Sequence, residues 1–477
     1  MGGGLTLDAT RVLVAGLGVS GRAARDVLTG RGLTVLTADD RAEDAELTLA
    51  AAAERLSEVE LVVVSPGIAP HHPLLVAARA AGLPVWSEVE LAWQLRVDRA
   101  GGGGPAPWLA VTGTNGKTTT VEMLASILTA SGERTAAVGN VGTPVVLAAT
   151  DPELDVLAVE LSSFQLHHTH SMAAEAAAVL NLAADHLDWH GSMAAYAADK
   201  GRIFTGVQRA CVYNAADRAT EELVREADVA DGAIAVGFTL STPGLGQVGL
   251  VEDVLVDRGF ATERRTHAAE LATFADLAHL APGGSALAPH TVQNALAAAA
   301  LALAHGVEPV AVRDGLRAYR PGAHRIDTVA ELDGVRWVDD SKATNAHAAA
   351  ASLAAFPAGS VVWIAGGLAK GARFDDLVRS RGDRLAAAVL IGVDAEPLSQ
   401  ALARHAPEVP VVRIDPGETG TVMTRAVQEA RRLAATAAAP AVTVLLAPAC
   451  ASMDQFSSYA ERGEAFAAEV RALEPAR

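Results

Sequence analysis

The chain has 477 residues, with 56 acidic against 38 basic side chains and a formal net charge of −18. That excess repels polyanions, which excludes nucleic acid as a main partner, so any phosphate must be gripped by a local device. Apolar residues make up 50% of the chain and aromatics 4%, so the cores are built from Ala, Val and Leu, and at about 150 residues per domain the length allows three domains.

The start, Met1-Gly2-Gly3-Gly4-Leu5-Thr6, fits a loose myristoylation pattern but has no basic region or apolar core of a secretory signal, and is read as untargeted. An apolar run at 11–15 leads into Gly16-Leu17-Gly18-Val19-Ser20-Gly21 and a helical pattern. Further runs end at Asp39-Asp40 and at Ser65-Pro66-Gly67. Alternation of this kind predicts a parallel sheet. The stretch 101–107, with four consecutive glycines and two prolines, reads as a flexible break and the first domain boundary. A second α/β unit follows, with runs at 108–111, 155–161, 177–182 and 210–213, a helix from Lys117, a loop near 282–285 and a helix over 294–305. After a break near 319–325, runs at 335–338, 361–365, 388–391, 409–414 and 442–446 predict a third open parallel sheet. The uncharged stretch 433–453 is long enough to span a bilayer, but Pro440 and Pro448 interrupt it, and it reads as a helix end followed by a buried strand. The expected fold is therefore α/β, with three domains on largely parallel sheets at 1–104, 105–321 and 322–477. The two cysteines, Cys211 and Cys450, lie far apart and outside any metal-ligand spacing, which points to the cytoplasm.

Only four of the 38 basic residues are lysines: Lys117, Lys200, Lys342 and Lys370. Where arginine serves for every generic positive charge, a retained lysine marks a need for a compact cation or for an amine that can lose its proton. Lys117 closes Gly113-Thr114-Asn115-Gly116-Lys117-Thr118-Thr119, a shortened P-loop between a strand and a helix. Its glycines let backbone N–H groups converge on phosphate oxygens, Lys117 adds charge, and the Thr118 hydroxyl can ligate Mg²⁺. Glu160 and His186 end the next apolar runs, and parallel strands would bring both toward Thr118. Gly16–Gly21 with Asp39 and Asp40 matches a dinucleotide fingerprint, although that loop serves any diphosphate. The cluster His167-His168-Thr169-His170 lacks an acid or Cys at ligand spacing and reads as a solvated surface turn, not a zinc site; His71-His72 reads the same way. In the third domain three polar strand ends, Asp339–Asn345, Gly366–Gly371 and Pro448–Phe456, make a pocket for a small charged substrate.

Taken together, the P-loop, Glu160, Asp185-His186 and Lys200 resemble the Mur ligases, ATP-dependent amide-forming enzymes of peptidoglycan precursor synthesis, nearly end to end. Ser65-Pro66-Gly67-Ile68, Glu160–Leu166, Asp340–Asn345 and Ala449–Phe456 resemble the branch that adds D-glutamate to UDP-N-acetylmuramoyl-L-alanine, and the Asp-Asn-Pro-Arg motif of the diaminopimelate-adding branch is absent. The resemblance implies that the first domain holds uridine diphosphate, not NAD, through Gly18, Val19, Ser20, Asp39, Asp40 and Arg41, with Ser65, Pro66 and Gly67 nearby. It implies that Asn140 and His186 face the muramoyl-alanine end, and that Asn294, Arg325 and Asp340 join the P-loop at ATP. D-glutamate would be held by Thr344, Lys370, Ser452 and Tyr459, with Lys342 near the reacting carboxylate. Mg²⁺ would be held by Thr118, Glu160, His186 and a carbamylated Lys200, a modification open to an amine and closed to a guanidinium. Lys117, Glu160, His186, Lys200 and Lys342 are thus the expected catalytic set, in a monomer without membrane insertion. The chain departs from the family pattern at Ala288-Pro289-His290-Thr291, Ala323 and Arg373. The competing readings are another Mur-type or folylpolyglutamate-type ligase, a non-catalytic UDP-sugar-binding protein, and a dehydrogenase built on Gly16–Gly21.

Overall fold

The structure, a computed structural model, describes residues 9–281, 287–417 and 419–473, the side chains of Asp188 and Thr419 excepted. The Met1–Thr6 pattern and the loop expected near 282–285 lie outside the described residues. Among those described, three sheets carry the fold.

The first sheet contains β1 (Arg11–Ala15), β2 (Thr34–Ala38), β3 (Leu61–Val64) and β4 (Val85–Ser87), all parallel, in the order β2-β1-β3-β4. Beyond the exposed Arg11, β1 is a run of Val, Leu and Ala and β3 one of Val and Leu, buried on both faces as a parallel sheet covered by helices requires. The second contains β5 (Trp108–Thr112), β6 (Thr135–Gly139), β7 (Val156–Glu160), β8 (Ala176–Val179), β9 (Ala210–Asn214), β10 (Ile234–Phe238), β11 (Gln247–Val251), β12 (Val254–Asp257) and β13 (Ala269–Thr273). Their order is β13-β12-β11-β10-β9-β8-β5-β7-β6, parallel from β6 to β11 and antiparallel from β11 to β13. The third contains β14 (Asp327–Leu332), β15 (Val335–Asp339), β16 (Val361–Gly366), β17 (Leu385–Ile391), β18 (Val411–Arg413) and β19 (Val442–Leu446), in the order β14-β15-β19-β16-β17-β18.

The third sheet is largely parallel, as expected, with an exception at one edge. Its edge strand β14 pairs antiparallel with β15 around Asp333-Gly334, both at positive φ (52° and 77°), an Asp-Gly hairpin turn of the kind that matches strand twist. The four-glycine run is not a loose tether. Arg99 donates from Nε to the Gly104 carbonyl (3.2 Å) and from Nη2 to that of Gly103 (3.1 Å), and reaches the Asp155 carbonyl through Nη1 (3.3 Å), so the guanidinium pins the turn.

By contact the chain forms two compact units. One takes the described residues up to Asp276 with Val292–Tyr319 and holds the first two sheets. The other takes Leu277–Thr291 and Arg320 onward and holds the third.

Candidate active site

In the first unit, the strand order places β5 between β8 and β7, so the P-loop that leaves β5 is flanked by the segments leaving its two neighbours. Gly116 adopts φ 83°, and a Cβ there would stand 2.4 Å from Asn294 Oδ1; only glycine fits, and the contact explains why Asn294, buried on the helix Pro289–His305, sits beside the loop. Asn181, at the end of β8, braces the loop: its Oδ1 accepts from the Asn115 amide (2.9 Å) and its Nδ2 donates to the Asn115 carbonyl (3.1 Å). The Thr114 hydroxyl shares a hydrogen bond with the Tyr196 hydroxyl (3.0 Å) and accepts from the Ala183 amide (3.0 Å). Thr118 and Thr119 begin the helix Lys117–Ala130, with Thr118 buried.

Two lysines meet on one carbonyl. Lys117 Nζ donates to Gly113 O and Thr114 O (3.0 Å each), while Lys200 Nζ donates to Gly113 O (2.8 Å) and to Thr112 Oγ1 (3.2 Å). Lys200 is 2% exposed, with its Nζ 4.8 Å from the centre of the Tyr196 ring. Burial, and then the neighbouring Lys117 charge, push the Lys200 amine well below the ordinary lysine range. Both effects shift the balance toward the neutral, nucleophilic amine.

Glu160 ends β7 with 1% exposure. Its Oε1 accepts from Asn140 Nδ2 (2.8 Å), and Oε2 is buried without a hydrogen-bond partner. A buried, unpartnered carboxylate oxygen is costly unless a cation completes it. Among the described residues no three His, Cys, Asp or Glu side chains converge as a metal cage. A site built from one carboxylate and a hydroxyl fits Mg²⁺, which keeps several waters and takes the rest of its shell from substrate phosphates. His186 sits in the left-handed region (φ 52°), its ring edge-on to Phe164 at 4.8 Å and its Nε2 3.6 Å from Asp185.

The His167–His170 segment is not a solvated turn. His168 and Thr169 are each 5% exposed, His167 Nδ1 lies 2.9 Å from Asp199, and the His170 ring reaches the Val85 carbonyl (3.1 Å). Burial, with His167 next, pushes His168 down to about 3. The acid absent at local spacing arrives from residue 199. His72 is also spent structurally, since its Nδ1 accepts from the Leu74 amide (3.2 Å) at the start of the helix Pro73–Ala80.

At the end of β1, the Gly16–Gly21 loop is tight: a Cβ on Gly21 would fall 1.8 Å from the Gly16 carbonyl oxygen. Ser65 Oγ donates to that oxygen (2.8 Å), and Pro66 and Gly67 continue the turn beyond β3. Gly18 begins the helix Val19–Gly30 without a side-chain cap, with Val19 exposed and Ser20 half-buried, a helix start suited to a phosphate group. Asp39 accepts from the amides of Leu17 (2.7 Å), Arg41 (2.7 Å) and Ala42 (3.0 Å), and these backbone bonds lower its pKa. Asp40 accepts from the Leu49 amide (2.9 Å), and Arg41 is exposed.

In the second unit the three expected motifs leave β15, β19 and β16, which are adjacent in the sheet. Backbone bonds tie them together: Asp340 N to Leu446 O (2.8 Å), Gly366 N to Pro448 O (2.7 Å) and Leu368 N to Ala451 O (2.9 Å). Lys342 Nζ lies 4.0 Å from the centre of the Tyr459 ring. Lys370 is exposed at φ 49°, Thr344 is half-buried and Ser452 buried. Asp340 is buried against Ser352, and burial pushes its carboxyl up to about 7 despite the neighbouring Arg325. Sequence reasoning passed over Arg462, which is 1% exposed and donates to Ser341 Oγ (3.0 Å), Ser341 O (3.0 Å) and Cys450 O (3.2 Å), knitting two of these motifs.

The comparisons with known proteins agree with this anatomy. Family models described as Mur ligase MurD-like, N-terminal domain, Mur ligase middle domain, and Mur ligase, glutamate ligase domain match residues 10–87, 111–302 and 324–450. The chain is 62% identical over 413 residues, 86% of its length and 84% of the relative's, to a Streptomyces coelicolor protein named UDP-N-acetylmuramoylalanine–D-glutamate ligase. A protein of the same name from Bifidobacterium adolescentis is 46% identical over 473 residues, 98% of both chains. In fold, the chain is similar to a pseudomurein peptide ligase type C from Methanothermus fervidus, with a TM-score of 0.58 at 16% identity, covering 98% of this chain and 100% of that one. With relatives this similar across so much of its length, and family models matching in each of its three sheets, the chain belongs to the Mur ligase family.

Proposed function

We propose that this enzyme is the ATP-dependent ligase that joins D-glutamate to UDP-N-acetylmuramoyl-L-alanine, releasing ADP and phosphate, in peptidoglycan precursor synthesis. The substrates follow from the names of its close relatives. The observation that carries the chemistry is the meeting of Lys117 and Lys200 on the Gly113 carbonyl of a P-loop whose neighbouring strand ends in a carboxylate oxygen without a partner.

An alanyl carboxylate is a poor electrophile, and activating it as an acyl phosphate requires two anions to meet. Lys117, on the loop that would cradle the ATP phosphates with Gly113 through Thr119 and Asn294, offsets that repulsion. Thr118, Glu160, His186 and a carbamylated Lys200 would hold Mg²⁺, which when bound supplies positive charge to the phosphoryl group. Asn140, bonded to Glu160, and His186 are assigned to the muramoyl-alanine end. Gly18, Val19, Ser20, Asp39, Asp40, Arg41 and Ser65-Pro66-Gly67 are assigned to the uridine diphosphate. D-glutamate falls to Thr344, Lys370, Ser452 and Tyr459, with Lys342 beside its target. Its free amine attacks the acyl carbon, and phosphate leaves as the amide forms.

The lowered pKa of the buried Lys200 amine supports carbamylation, since only the free amine adds CO₂. No helix among the described residues is long and apolar enough to cross a membrane, and Cys211 and Cys450 are buried and unpaired, which supports a cytoplasmic enzyme; we take it to act as a monomer. The test is phosphate release that requires UDP-N-acetylmuramoyl-L-alanine and D-glutamate together. Lys200→Ala should lose it and regain it with added short carboxylic acids. Release with L-glutamate or L-lysine in place of D-glutamate would refute the substrate assignment, and full activity of Lys200→Ala without such acids would refute the carbamate.

A further inference from the structure

We infer that Asp199 is a positioning residue for the catalytic rim, one carboxylate that holds three chain segments in register. Each of those segments carries one residue of the proposed machinery. Ser163 and His167 lie on the helix Ser163–His167, which starts three positions after Glu160. His190 ends the helix Leu187–His190, which starts just after His186. Asp199 precedes Lys200 on the helix Met193–Gly201.

The bonds converge on Asp199. Both of its oxygens lie 2.9 Å from His167 Nδ1, and Oδ2 lies 2.9 Å from His190 Nδ1. The chain of bonds continues from His190 Nε2 to Ser163 Oγ (2.9 Å). The side chain of Asp199 is 8% exposed and that of His190 0%, so the bond between them is shielded from water; His167 is 26% exposed, and Arg202 Nε, from the same helix end, also reaches Asp199 Oδ1 at 3.3 Å. Adjacent helical residues point about 100° apart, which lets Asp199 grip the histidines while Lys200 reaches the Gly113 carbonyl. The helix is held from both sides. Both ring nitrogens of His190 and the Nδ1 of His167 are engaged by these bonds, so the cluster is a brace and not a cation site.

The inference rests on the reading of Lys200 as the carbamate bearer, because what Asp199 would fix is the placement of that lysine against Glu160. Outer partners of this kind are worth about 10- to 100-fold in activity. Asp199→Ala and the nearly isosteric Asp199→Asn, in the full chain, should lower kcat for D-glutamate-dependent phosphate release by about that factor, with KM for ATP within about threefold of wild type. After loading with ¹³C-bicarbonate, their carbamate resonance should shrink relative to wild type. A folded Asp199→Ala protein with wild-type kcat and an undiminished resonance would overturn the inference, as would a KM for ATP that rises in step with the loss of kcat. Absence of any resonance from wild type, with full activity in Lys200→Ala, would instead sink the carbamate reading itself, a result distinct from a resonance present in both proteins.

Discussion

Glu160 is a side chain placed where stability does not want it. Its Oε2 is buried without a partner, an arrangement that costs free energy until a cation arrives. Glu160→Gln keeps an oxygen able to accept from Asn140 and removes the carboxylate. We expect phosphate release to fall by about 100-fold or more while the ligand-free protein stays folded with a Tm close to wild type, the lost carboxylate desolvation being offset by the N–H₂ left without a partner; a calorimetric scan and a phosphate assay on one preparation check both. Gly116→Ala should behave differently. The substitution puts a Cβ at positive φ against Asn294, so stability should drop by about 1–3 kcal/mol and ATP affinity with it, measurable by denaturant titration and calorimetric binding. The residues in these predictions were legible in the sequence because each is tied to a short motif or to the end of an apolar run: the P-loop for Gly116 and Lys117, a strand end for Glu160, lysine scarcity for Lys200. The Asp199 network was not, because it joins residues 32 and 9 positions apart through helices whose packing no local spacing reports. His167–His170 was misread as solvated for that reason.

Among the elements, buried strands were the easiest to read, since Leu61–Val64 is apolar throughout and ends on Ser65, and Val442–Leu446 is buried at every position with Thr443 its one polar residue. The half-exposed strands were missed. Ile234–Phe238 is buried only over its last three residues, and β14 mixes acids with apolar residues, so neither gives a clean run. Helix crossings were also invisible. In the helix Pro309–Ala318 a Cβ on Gly315 would meet Ile127 Cα at 2.3 Å, and the Gly315 carbonyl accepts from Ser126 Oγ (2.7 Å). Gly315→Ala should therefore lower Tm although alanine is the better helix former, because two backbones must part. At the C-terminal end of the helix Pro289–His305, His305 lies between Glu175 (2.6 Å) and Glu133 (3.1 Å). Burial alone would lower its pKa; the bonds to the two carboxylates outweigh that and raise it from 6.5 to about 9. A cation favoured in the folded state stabilises fully below the unfolded pKa, and the gain is lost as pH rises through about 9. Against His305→Gln, wild type should hold an advantage of at most about 3 kcal/mol near pH 6 that fades by pH 10, read from urea midpoints across that range.

At the scale of the whole molecule, a net charge of −18 leaves little reason to bury further acids, yet Glu88 is 2% exposed between the first two sheets. It follows β4, and its Oε1 accepts from the amide of Val146 (2.6 Å), on the helix Val145–Ala149, while Oε2 has no partner. Burial pushes its carboxyl from 4.5 up to about 7, against the lowering effect of the Val146 bond. Between those two values the folded chain binds more protons than the unfolded one, so stability falls as pH rises through the window and levels off above it. The full ionisation cost is about 3 kcal/mol. Glu88→Gln keeps the acceptor for Val146 and cannot ionise; the N–H₂ it buries lacks a partner at every pH, so the diagnostic is the pH dependence of the difference. The variant should gain on wild type as pH rises from 5 to 8, with Tm curves that diverge across that interval and run parallel above it. Parallel curves from pH 5 upward would mean that Glu88 is already ionised in the folded chain at pH 5, and that the seam between the first two sheets tolerates a charge that its burial says it should not.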